Sequence, residues 1–322
     1  MLNLSEYCVF AGIVAVALAL ISYVLVFASY RVAQARTVLT VETAGGEFAA
    51  GAIGGEVAVS TGSGGLGTSA LGGQVGATEL DDAPSRAGAF GTLTTWLALG
   101  FLTAALVFRT FATGHGPFAN MYEFSIAFAW GALVVNGYFL RRYRQWAVSV
   151  IVLLIALGLL LYATTVSSEI EPLVPALQNN LLLTVHVATA MIAYGAFAFG
   201  FAAAFLYLLQ SDDRPRLRLP GRELLDEVSY KATLIGFPFL TLTIVLGAIW
   251  ADIAWGKYWS WDPKESASLV TWILCCAYLH TRATRGWRGK RAALMLMVVF
   301  VAVLFTFYGN LFLGGLHSYG SQ

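Results

Sequence analysis

Eleven residues, Trp255-Gly256-Lys257-Tyr258-Trp259-Ser260-Trp261-Asp262-Pro263-Lys264-Glu265, set three tryptophans, a tyrosine and two carboxylates between apolar runs. Indole and phenol rings settle at a membrane–water boundary, and one or two of them serve there as anchors. Three tryptophans at this density make a flat aromatic surface suited to stacking on a large planar ligand. Asp262, Pro263 and Glu265 stand at the N-cap, N1 and N3 positions of the helix that follows, a capping arrangement. That role accounts for both acids and would hold the aromatic segment rigidly against a helix start. It does not account for the tryptophans.

Four histidines accompany this segment. His186 lies about five residues into an apolar run, and His317 follows the last run, in Leu313-Gly314-Gly315-Leu316-His317. Both fall at the level of the aromatic segment. His280 is 17 residues beyond Pro263, about 26 Å deeper along a helix. His115 sits in the connection Gly114-His115-Gly116-Pro117. A lone histidine at a helix end ordinarily makes a hydrogen bond or an interfacial contact, whereas ionisable groups within a bilayer are costly and mark function. Zinc would take four donors, with Asp262 or Glu265 joining His186 and His317, but no close His/Cys/carboxylate spacing accompanies them. Haem needs two axial imidazoles only, and its apolar macrocycle would occupy the tryptophans, so these residues favour haem. Cys8, Cys275 and Cys276 form no Cys-x-x-Cys pair and point to neither a metal nor a thiol-redox site.

The elements that must position these groups are transmembrane helices. Of the 322 residues 58% are hydrophobic and 11% charged, and the mean hydropathy is +0.72, which excludes an ordinary soluble domain. Eight apolar runs, roughly 7–30, 91–112, 122–140, 146–166, 182–210, 231–251, 266–282 and 292–313, predict an all-α polytopic transmembrane helical bundle. The first run lacks a basic flank and is too long for a signal peptide, so it is expected to be a retained helix. Every Lys and Arg except Arg109, Lys257 and Lys264 falls in the connections after the first, third, fifth and seventh runs. The positive-inside rule then places both termini and the tryptophan-rich segment outside. Residues 1–36 read as the first helix, 37–90 as a flexible Gly-rich cytoplasmic linker, and 91–322 as the core carrying the segment at 250–265. The linker's Gly-Gly pairs are followed by no Gly-Lys-Ser/Thr, so no phosphate loop is expected. A net charge near +1 gives no reason to expect nucleic acid.

The tryptophan segment resembles the WWD signature of haem-handling proteins. Taken with Tyr278-Leu279-His280-Thr281-Arg282, the upstream Gly114-His115-Gly116-Pro117 to Tyr122-Glu123, and Gly314-Gly315-Leu316-His317-Ser318-Tyr319, the chain resembles the CcsA (ResC-type) family of the System II cytochrome c biogenesis pathway. The resemblance runs from about His115 to the C-terminus. The CcmC and CcmF families share the tryptophan segment, but Pro-Lys-Glu and His-Thr-Arg favour CcsA. The Gly-rich linker matches no family pattern.

This resemblance implies a haem-binding subunit of a cytochrome c synthase (haem lyase) complex in the plasma membrane. Haem b would be a transported, non-covalently held substrate. His186 and His317 would be its axial ligands on the outer side, with Trp255, Trp259 and Trp261 packing on the porphyrin and Asp262 orienting it. His280 would correspond to a transmembrane histidine that holds haem on its way outward. Its partner histidine belongs to the separate CcsB (ResB) subunit, and this chain has no obvious second inner histidine. His115 matches a family position without an axial role. The implied partners are CcsB, apocytochrome c and a thioredoxin-like thiol reductant. Two other classes of function compete. A membrane electron carrier with resident haem would stack two histidine pairs across one bundle, and the histidine depths do not pair so. A non-haem transporter would use the aromatic segment as a gate.

Overall fold

The computed structural model describes residues 1–43, 86–170, 177, 180–210, 219–309 and 312–317. Every regular element of length among them is a helix: α1 (Leu2–Thr43), α2 (Arg86–Thr113), α3 (Met121–Tyr143), α4 (Trp146–Ala163), α5 (Asn180–Leu209), α6 (Arg222–Trp255), α7 (Pro263–Arg285) and α8 (Lys290–Tyr308). Helices satisfy their backbone groups internally, which lipid demands of any spanning segment. Seven of the eight are long and apolar enough to cross a membrane, and the protein is a multi-pass membrane protein. The eighth, α7, is comparable in length, 23 residues, or about 35 Å. It mixes apolar positions with Lys264, Glu265, Ser266, Ser268, Thr271, His280, Thr281 and Arg282, so it reaches the other end of the bundle as the most polar of the helices.

The observed bounds refine the expected ones. Helix α6 begins well before the expected span and continues through Trp255, so the non-helical part of the tryptophan segment is confined to 256–262. Gly256, at φ +71°, ends α6 in the left-handed conformation that a residue without Cβ adopts readily. Helix α1 extends to Thr43 and α2 begins at Arg86, so both ends of the expected linker are helical. Its centre, 44–85, lies outside the described residues.

Helix α5 is the hub, packed against α3, α4, α6 and α8, while α1 and α2 pair alongside. Each end of the bundle is tied by an ion pair, fully buried at one end and partly buried at the other. At the tryptophan-rich end, Arg109 on α2 donates to Glu123 on α3 at 2.6 Å, with both side chains 2% exposed. Arg109 also donates to the Ser168 carbonyl at 2.6 Å, and Glu123 accepts from the Ala119 amide. At the opposite end, Asp226 of α6 accepts from both terminal nitrogens of Arg282 on α7 at 2.9 and 2.6 Å. It also accepts from the Gly289 amide at the start of α8. One carboxylate thus joins three helices where the basic residues gather.

Candidate functional site

His186 sits in the second turn of α5 and faces α6. Its Nδ1 lies 2.9 Å from the Thr243 carbonyl oxygen. A carbonyl only accepts, so Nδ1 carries the hydrogen, and in the neutral ring Nε2 then carries the lone pair. The Thr243 hydroxyl is linked to Thr189, one turn along α5 from His186. Room for the ring comes from Gly247, where an added Cβ would lie 2.7 Å from His186 Cε1. Trp250, one turn further along α6, lies parallel to the imidazole, with centroids 6.3 Å apart and planes 9° apart. Positions 243, 247 and 250 follow the helical spacing that puts residues on one face.

His317 reaches the same place from the turn after α8. Its Nδ1 is 2.8 Å from Asp262 Oδ1, and its ring meets Trp250 at 5.7 Å and Trp255, edge to face, at 4.8 Å. Asp262 is 6% exposed and does several things at once. Its side chain accepts from the Lys264 amide at 2.9 Å and from the Leu316 amide at 2.6 Å, while Glu265 returns to the Asp262 amide. The capping box expected from the sequence is therefore formed. Gly315 lets the turn close on it, because a Cβ there would lie 2.3 Å from Asp262 Oδ2. Burial works against charge on Asp262, yet His317 and the two amides hold its carboxyl down at about 2. Burial also pushes the His317 imidazole below its ordinary value despite the carboxylate beside it. Both shifts describe one state near neutral pH: an ionised Asp262 accepting from a neutral His317. A carboxylate–histidine pair of this kind fixes the tautomer and leaves Nε2 as the donor atom toward a metal.

The two imidazoles share a cleft open to solvent on one side, formed by α3, α5, α6, the tryptophan loop, α7 and α8. Its walls are mostly apolar, with Phe124, Met191, Tyr194, Trp250 and Trp259 among them. The three tryptophans of the segment, one at the end of α6 and two in the loop, are split rather than coplanar. Trp259 lines the cleft, Trp255 backs His317, and Trp261 is 71% exposed and perpendicular to Trp259 at 5.8 Å. Trp261 also holds φ +58°, a left-handed conformation that costs a bulky residue about 1–3 kcal/mol. His280 is exposed near the far end of α7, well away from the pair. His115 is half-buried, with Nδ1 2.8 Å from the Gly116 carbonyl, outside the cleft lining. Sequence reasoning does not single out Trp250 and Gly247. Their signal is the 243/247/250 stripe, hidden because a tryptophan near a helix end reads as an interfacial anchor.

Two neutral imidazoles whose Nε2 atoms carry the lone pairs, set in an aromatic, apolar cleft, suit a planar metalloporphyrin, which asks the protein for axial donors only. Among the described residues there is no group of three or more His, Cys, Asp or Glu side chains arranged to hold a bare metal ion.

Fold and site together define a polytopic membrane protein of the cytochrome c assembly class: residues 118–317 match the family described as Cytochrome C assembly protein. Curated relatives sharpen this. The cytochrome c biogenesis protein CcsA of Gloeobacter violaceus is 35% identical, the alignment covering 71% of this chain and 86% of the relative. That of Guillardia theta is 36% identical over 70% of this chain and 84% of its own. The chain belongs to the CcsA family of cytochrome c biogenesis proteins. Among solved structures it is similar to the cytochrome c haem lyase CcmF, with a TM-score of 0.60 and 17% identity. That likeness covers 95% of this chain and 46% of the other, and it concerns the fold.

Proposed function

We propose that this protein is the haem-presenting subunit of a System II cytochrome c synthase, acting with a CcsB (ResB) partner. The observation that carries this reading is the convergence of His186 and His317, from α5 and from the turn after α8, on one buried indole in the wall of one cleft. Haem b is the substrate. Its iron is held by the two Nε2 atoms, and its macrocycle lies among the apolar walls that include Trp259. Trp255 and Asp262 hold His317 in place. The asymmetry of basic residues supports an outward orientation of this end, and the membrane of this proposal is the plasma membrane.

Thiols of an apocytochrome Cys-x-x-Cys-His segment, kept reduced by a thioredoxin-like protein, then add to the two vinyl groups. In each addition sulfur bonds to one vinyl carbon and the thiol proton passes to the other, so the step is redox-neutral. The cleft contributes mainly by holding the haem at a fixed place and angle, which is where proximity lowers a barrier. The incoming histidine of the acceptor displaces one axial imidazole and releases the product. His280, exposed near the far end of α7, would meet haem on the inner side, with its partner histidine supplied by CcsB.

The direct test is the absorption spectrum of the complex purified with CcsB, oxidised and reduced. Six-coordinate haem in the wild type should become five-coordinate or be lost in both His186→Ala and His317→Ala. Haem retained unchanged in both variants would move the site elsewhere, with His280 next to replace. Absence of haem from the wild type would favour the transporter class.

A further inference from the structure

One cation of the cleft stands without an ion-pair partner among the described residues. Lys264 lies in the first turn of α7 and lines the cleft together with Glu265 and both histidines. It is half-buried, and its Nζ lies 5.1 Å from the centroid of the Phe124 ring. The acids nearest in sequence are already engaged. Asp262 caps α7 and holds His317, and Glu265 accepts from the amides of Ser260 and Asp262. Among the described residues no carboxylate forms an ion pair with Lys264. A lysine facing an apolar, partly dry cleft is costly unless an anion meets it there.

We infer, on the reading of the cleft as a haem site, that Lys264 receives a propionate carboxylate of the haem and so sets which edge of the macrocycle enters the protein. Haem b carries its two propionate carboxylates on one edge of the macrocycle and its two vinyl groups away from it. Anchoring the acidic edge at α7 therefore turns the vinyl-bearing side toward the acceptor. The ligand class is a metalloporphyrin with a free carboxylate, and an esterified one should be discriminated against.

The full chain in lipid nanodiscs can be titrated with haem b and with haem b dimethyl ester, following the Soret band. The wild type should prefer the acid by about tenfold, the scale of one charge-assisted hydrogen bond. Lys264→Met should lose that factor for the acid only, and Lys264→Arg should keep it. Equal weakening of both ligands by Lys264→Met, or no weakening of the acid, would overturn the assignment. If Lys264→Met gives no monodisperse protein, the wild type decides: equal affinity for acid and ester overturns the role of Lys264, while six-coordinate spectra with both leave the haem-presenting reading standing. Failure of the wild type to bind either ligand removes that reading and this inference with it.

Discussion

Asp262 combines two tasks that one carboxylate can perform only because its two oxygens point different ways. Oδ1 faces the α7 amide and the imidazole, and Oδ2 faces the turn that delivers that imidazole. Asp262→Asn separates the tasks, since asparagine caps helices nearly as well as aspartate but offers no full charge to the Nδ1–H. The variant should keep its thermal stability in detergent within about 1 kcal/mol while its haem affinity falls about 10–100-fold. Equal haem binding in wild type and variant would show that Asp262 merely caps. At this scale His186, His317 and Asp262 are legible in the sequence, because ionisable groups at the ends of apolar runs are expensive to keep. The different duties of the segment's three tryptophans are not, because spacing within a loop says nothing about ring orientation. In the sequence Lys264 is one more charge in a first turn. Only its place in the cleft, without an ion-pair partner, sets it apart.

Among the elements, α2 and α3 are clamped by a pair that the charge pattern alone misfiles. Arg109 counts among the few cations at the tryptophan-rich end, although 2% exposure shows that it faces protein rather than water. The clue is in place: an arginine inside Leu106-Val107-Phe108-Arg109 demands an acid nearby, and Glu123 follows the Asn120 cap by one turn. Removing one member of a buried pair leaves the other unpaired, at a cost of about 3–5 kcal/mol. Glu123→Ala should therefore lower the aggregation temperature of the purified protein sharply, and the double change Arg109→Met with Glu123→Leu should recover most of the loss. If the double variant is no better than the single, the pair is not what the single change breaks. All eight spans are expected from apolar runs, and seven of the helices are long and apolar enough to cross a membrane. The eighth, α7, expected from the run at 266–282, forms as a helix of similar length whose polar residues dilute the apolar signal that marks the others.

For the molecule as a whole, the proposed orientation rests on the sorting of basic residues to one end, and the described helices keep that sorting. The ion pair of Arg282 with Asp226 stands at the basic end, opposite the cleft. Single cysteines introduced at 114 or 257 into a chain with its native cysteines replaced should react with an impermeant maleimide added to intact cells. A cysteine at 288 should react only after the membrane is opened. Labelling in the reverse sense would invert the proposed orientation and put the cleft on the inner side. The route by which His317 arrives has a further consequence, concerning time rather than space. His186 is synthesised with α5 and Trp250 with α6, but the second imidazole comes after α8, in a turn that Asp262 must already be in place to receive. At the proposed haem site a nascent chain therefore presents only the first of the two cleft imidazoles until all eight helices have been made. On the haem-presenting reading, tight capture of a reactive iron porphyrin is thereby deferred until the membrane-embedded body that must contain it is complete.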